Sequence, residues 1–114
     1  MIFVNILDDE KKVIVDVSGY ISSKDAKQFL SQYKQMTKNV RTSQYRLVVN
    51  TSLFECENNE DIRNVCMAFY KSNYRNMYIV DPNNYIMSSM SLGPIEKKMF
   101  MKSVKVVSKK EDVR

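Results

Sequence analysis

The chain has 114 residues, 44% of them apolar and 27% charged, which fits one globular domain and excludes a disordered chain. Its formal charge of +5 is uneven: residues 1–62 carry eight basic and nine acidic side chains, and residues 63–114 carry ten and four, so the halves stand at −1 and +6. There is no histidine, which removes the usual general base, the Ser-His and Cys-His pairs and the commonest metal ligand, and with them ordinary hydrolase and zinc chemistry.

Residues 2–7 and 12–21 are apolar and β-branched on either side of Asp8-Asp9-Glu10-Lys11, a pattern that predicts an antiparallel hairpin. In its second strand Val13, Val15 and Val17 alternate with Ile14, Asp16 and Ser18, giving one buried and one more polar face. The acidic turn also comes too soon after the first apolar run for a signal peptide or a membrane span. Three adjacent acids point in different directions, so they read as a solvated turn rather than a cation site.

Ser22-Ser23-Lys24-Asp25 supplies a hydroxyl cap with an acid three residues on, and Ala26, Phe29, Leu30, Tyr33 and Met36 follow at helical spacing, predicting a helix over 23–38. Residues 45–50 are a strand, and after a polar loop Asn58-Asn59-Glu60-Asp61 opens a second helix with Ile62, Val65, Cys66 and Phe69 on its buried stripe. Residues 77–80 form a fourth strand closed by Asp81-Pro82, with Asn83-Asn84 as the expected cap of a third helix from Tyr85 to Met90. Gly93-Pro94 starts a short helix through Phe100, residues 104–107 form a last strand, and 108–114 are a charged tail outside the domain of 1–107.

This order, β-β-α-β-α-β-α-β, predicts an α/β fold: a hairpin-led mixed sheet of about five strands with helices packed on it. Val13, Val15, Val17, Leu47, Val49, Ile79, Phe29, Leu30, Val65 and Phe69 are its expected core. Cys56 and Cys66 lie ten residues apart without CxxC pairing, which predicts free thiols and a reducing cytoplasm, while a bridge requires their Cα atoms to be close. Acids on either side of Cys56 and the apolar stripe around Cys66 argue against nucleophilic thiols.

Val17-Ser18-Gly19-Tyr20-Ile21 at the end of the hairpin and Leu47-Val48-Val49-Asn50-Thr51-Ser52 in the next strand resemble the STAS fold of anti-sigma-factor antagonists and of related STAS/SEC14-like small bacterial proteins. In that family a strand ends in Gly before the first helix, and a later one ends in an Asp-x-Ser pattern, matched here by Asn50-Thr51-Ser52. The resemblance implies a non-enzymatic regulatory domain that binds protein. It also implies a phosphorylatable Asp-Ser-Ser-Gly segment at the start of the second helix, where this chain has Asn58-Asn59-Glu60-Asp61 with Glu60 at the acceptor serine. The serine switch is therefore expected to be absent, and Glu60 reads either as a mimic of the phosphorylated state or as capping chemistry.

The candidate partner surface, for a protein or a second copy, comprises Ser52, Phe54, Asn58, Asn59 and Glu60 with Tyr85, Met87 and Met90 of a third helical region that Met99 and Met101 further enrich in methionine. A second reading is nucleic-acid or anionic-surface binding, expected to be weak, by Tyr70, Lys71, Tyr74 and Arg75 on one outward helical face. A third is a small-ligand or lipid carrier, which needs an apolar cavity, and a phage accessory or structural protein is a fourth. Gly19 and Gly93 alone build no phosphate loop, and Asp16 and Asp81 are the only acids that suggest a carboxylate pair. No catalytic residue, cofactor or metal is expected.

Overall fold

The computed structural model describes residues 1–90 and 92–113, leaving Arg114 of the expected tail outside the described residues. Five strands form one sheet in sequence order: β1 (Ile2–Leu7), β2 (Lys12–Ile21), β3 (Arg46–Cys56), β4 (Asn76–Val80) and β5 (Val104–Val107). β1 pairs antiparallel with β2, and every later pairing is parallel. The parallel crossovers are made by α1 (Ser23–Thr37), α2 (Asn59–Lys71), and α3 (Tyr85–Ser89) with α4 (Pro94–Ser103).

The hairpin and α1 start where their sequence signals lie. The hairpin turns through Lys11, whose φ of 54° is in the left-handed region, while Glu10 N donates to Leu7 O at 3.2 Å. The turn is not merely solvated: Tyr45 Oη donates to Asp8 Oδ1 at 2.7 Å, tying the hairpin to the start of β3. At α1 the Ser22 hydroxyl accepts from Asp25 N at 3.0 Å and the Asp25 carboxylate accepts from Ser22 N at 3.1 Å, the reciprocal cap that the sequence predicts.

Pleating sorts the strands onto two faces. The register places Val4, Val15, Val49, Ile79 and Val106 in one row, and Ile6, Val13, Leu47, Met77 and Val104 in the next. This is the face of the core, where Ala26, Phe29 and Tyr33 of α1, Ile62, Cys66 and Phe69 of α2, Ile86 of α3 and Phe100 of α4 are buried. Phe29, Tyr33 and Phe69 form an aromatic cluster with centroids 5.2 to 6.2 Å apart. Of the expected core, Leu30 and Val65 are only half-buried: Leu30 lines the groove between α1 and α2, and Val65 borders a small cavity beneath α2. The second face carries Phe3, Ile14, Asp16, Val48, Asn50 and Tyr78, with Asn50 Nδ2 donating to Asp16 Oδ1 at 3.4 Å. Asp16 and Asp81 are thus separately engaged, and no carboxylate pair forms between them.

One departure positions the site. β3 was expected to stop near residue 50, yet it runs to Cys56, because Gly19, Tyr20 and Ile21 pair with Phe54, Glu55 and Cys56. The ladder slips between Val17 and Gly19, so Ser52 and Leu53 form a bulge. Gly19 takes φ +70°, and since a Cβ there would meet nothing closer than 3.9 Å, conformation rather than space calls for glycine. Asn50-Thr51-Ser52 therefore lies within the strand rather than at its end, and Thr51 Oγ1 donates to Val80 O at 2.6 Å.

Candidate functional site

Beyond residue 50, β3 has lost β4 as a neighbour, and beyond Val17 β2 no longer has a paired β1 residue within that strand. What remains is a two-stranded tip at the carboxyl end of the parallel strands, the end at which open α/β sheets present ligand and partner sites. The bulge turns Leu53 outward to 78% exposure, and Tyr20 across the ladder is 59% exposed. With Gly19, Phe54 and Glu55 they line a shallow groove of about 350 Å³.

The tip is braced from below. Phe54 meets Tyr85 edge-on at 4.8 Å, and the Tyr85 hydroxyl accepts from Cys56 N at 3.3 Å, so α3 is fastened to β3. α3 is in turn held by Asp81, a buried carboxylate that accepts from Tyr85 N at 3.0 Å and Met87 N at 3.3 Å. This corrects the expected cap: Asn84 has a left-handed backbone (φ 55°) and makes no side-chain cap bond, because Asp81 already supplies the acceptor.

The start of α2 lies beside the tip. Asn58 caps the helix by accepting from Glu60 N at 3.0 Å. Asp61 is turned away, accepting from Ser23 Oγ at 2.7 Å, while Asn58, Asn59 and Glu60 stay exposed. Desolvation, and then the charges of Glu57, Glu55 and Asp25, hold the pKa of the Tyr20 hydroxyl above its ordinary value. The surface is thus apolar at its centre and acidic around it.

The structure brings Ser52, Phe54, Asn58, Asn59, Glu60 and Tyr85 to this end of the sheet. Ser52 and Phe54 belong to β3 rather than to a loop. Of the four methionines in the expected Met-rich region, Met87 is half-buried and Met90 packs against the core, while Met99 and Met101 are exposed on α4. Leu53 and Tyr20 were missed by the sequence reading. Gly19 before two more β-compatible residues was the signal for a bulge that would expose them.

The expected nucleic-acid face does not exist as drawn. α2 ends at Lys71, so Tyr74 and Arg75 fall beyond it; Tyr74 is 8% exposed, and its hydroxyl is bonded to that of Tyr33 at 2.7 Å. Tyr70 is half-buried, with its ring 6.4 Å from Phe100, which leaves Lys71 and Arg75 as the exposed members. Burial of the aromatic rings against Tyr33 and Phe100 won over stacking surface.

Both cysteines are free thiols. Cys56 ends β3 half-buried, and its pKa is pushed up to about 11 by burial and then by Asp61, rather than by its sequence neighbours; burial and then Asp81 raise buried Cys66 to about 12. They border an apolar cavity of about 40 Å³ between the sheet and α1, α2 and α3. Ligand pockets hold roughly 300–1,000 Å³, so this space does not accommodate a lipid. Among the described residues no helix is long and apolar enough to cross a membrane, and no three His, Cys, Asp or Glu side chains converge as metal ligands.

No protein-family model matches the sequence, and no curated protein matches it. Solved structures do match the fold. The anti-sigma factor antagonist SpoIIAA in its unphosphorylated form aligns with a TM-score of 0.60 at 8% identity, over 98% of this chain and 92% of its own. A protein from Shewanella loihica described as having a SpoIIAA-like fold aligns with a TM-score of 0.58 at 10% identity, over 98% and 88%. The sheet order, the helices packed on one face and these two alignments together give the chain the SpoIIAA-like, or STAS, fold.

Proposed function

We propose that this chain is a non-enzymatic regulatory or adaptor domain that binds a protein partner at the carboxyl end of its sheet. One observation carries the reading: Leu53, 78% exposed, and Tyr20, 59% exposed, stand on a bulged, hydrogen-bonded tip braced by Phe54 and Tyr85. Large apolar side chains held out on ordered backbone favour an interface, because they cost little conformational entropy to desolvate further. The surrounding Glu55, Glu57 and Glu60 suit a partner with an apolar centre and basic flanks. Glu60 stands where the resembling family has its acceptor serine, so regulation by phosphorylation at that position is not expected.

The likeness of fold to an anti-sigma factor antagonist supports a regulatory role. A sequence without histidine and two thiols held protonated support a role without catalysis. Free thiols also suit a reducing, cytoplasmic setting. The test is a quantitative pull-down from the native cell with wild-type protein and with Tyr20→Ser/Leu53→Ser, at low and at high salt. The proposal expects a defined protein that survives high salt and is lost with the double substitution. Capture that the substitution leaves intact, or that is nucleic acid and collapses with salt, overturns it.

A further inference from the structure

The sheet has two outer edges, and they are built differently. β5 is four residues long with exposed Lys105 inside it, the kind of short, charged edge that resists pairing. β1, Ile2-Phe3-Val4-Asn5-Ile6-Leu7, has no charged residue and no proline, and its register with β2 runs without a bulge from Ile2–Val17 to Leu7–Lys12. In a chain that is 27% charged, this edge is unguarded.

The direction of its backbone groups follows from one bond. Ser18 N donates to Met1 O at 2.8 Å, so Met1 faces Ser18 as a hydrogen-bonded pair. Such pairs alternate along an antiparallel ladder. Phe3, Asn5 and Leu7 therefore turn their N–H and C=O toward β2, while Ile2, Val4 and Ile6 turn theirs outward. Among the described residues no strand lies beyond β1 to receive them.

We propose that β1 is the interface of a symmetric homodimer, paired antiparallel with β1 of a second copy about a two-fold axis at Val4. In this register Val4 faces the partner's Val4 and Ile2 faces the partner's Ile6, so every outward-pointing residue meets another outward-pointing residue. Two bonds form at each hydrogen-bonded pair, and no group on the strand is left over. A shift that pairs Val4 with Ile6 leaves Ile2 opposite Asp8 of the acidic turn.

Side chains agree with the same axis. Phe3, 44% exposed on the second face of the sheet, lies opposite the partner's Asn5 and diagonal to the partner's Phe3, within reach for aromatic contact. Half-buried Leu7 lies opposite the partner's Met1, which is exposed. The neutrality of the strand matters because each copy carries +5: β1 itself brings no charged side chains together, and charges farther from the contact are screened by salt. A foreign strand needs only an edge, whereas a second copy satisfies this one with its own pattern. The product is one continuous sheet of both copies, a closed isologous pair that leaves the Tyr20–Leu53 tip free.

The experiment is sedimentation equilibrium over about a hundredfold dilution series, combined with amide exchange followed by NMR. The expected mass is twice 13.4 kDa at the concentrated end, with the amides of Ile2, Val4 and Ile6 protected there and released on dilution. Val4→Pro removes an outward donor and no ladder bond to β2, and it is expected to give monomer. Because Val4 is buried, Phe3→Lys serves as the second variant: it keeps the backbone, sits on an exposed position, and is expected to weaken the dimer at least about tenfold. Monomer at every concentration overturns the proposal. So does a dimer that Phe3→Lys leaves intact, or a mass that grows past two chains, since either places the contact elsewhere.

Discussion

Asp81 is the residue whose loss should be felt furthest from its own position. It is 5% exposed, and its two oxygens hold the first backbone N–H groups of α3, which in turn carries Tyr85 to the underside of the β3 tip. Asp81→Ala leaves two amides without that acceptor, and an unsatisfied buried group costs about 1–3 kcal/mol. We expect a loss of that order in urea denaturation. Asp81→Asn, which keeps one carbonyl acceptor, should fall between the two, and an alanine variant as stable as wild type would refute the brace. The two thiols give a second prediction at this scale. Their ordinary pKa of 9.0 is raised to about 11 and about 12, so above pH 9 the folded chain keeps protons that the unfolded chain gives up. Stability should therefore decline as pH rises from about 9 through about 11 to 12. Cys66→Ala removes part of that decline, and urea midpoints across the window should show a shallower slope than wild type. Parallel slopes would contradict burial as the cause.

At the scale of elements, local chemistry was legible and long-range pairing was not. The Ser22–Asp25 box, the Asn58 cap and Pro94 at the start of α4 all act within a few residues, and each begins its helix as the pattern predicts. In the sequence β3 reads as ending near residue 50 because Ser52 and Glu55 interrupt the apolar run; the strand state of Phe54–Cys56 comes from pairing with Gly19–Ile21, more than thirty positions away. The burial of Tyr74 is illegible for a related reason, since its hydroxyl is satisfied by Tyr33 of α1, forty-one positions away. The fold was therefore visible in outline, while the exposed apolar pair of the site lay hidden in a bulge. Two substitutions test the elements directly. Ser22→Ala should cost about 1 kcal/mol through loss of the α1 cap. Gly19→Ala should cost about 1–2 kcal/mol, because a left-handed backbone is strained for any residue with a Cβ. Both are read from denaturation midpoints, and a neutral Gly19→Ala would show that the bulge does not depend on that backbone.

For the whole molecule, the two ends of the sheet differ in character. The carboxyl end presents Leu53 and Tyr20 within a ring of acids, while Arg75, Lys102 and Lys105 gather at the opposite end around a groove of about 460 Å³. Charge on the basic end can speed association with an acidic partner, yet salt screens it. The apolar tip carries no such penalty, which favours recognition there. The most direct test installs a photo-crosslinking amino acid at Leu53, and separately at exposed Lys98 of α4, in the native cell. One discrete protein adduct is expected from position 53, persisting in high salt and disappearing when Tyr20 is also replaced by Ser. Equal adducts from both positions, or none from position 53, would contradict it.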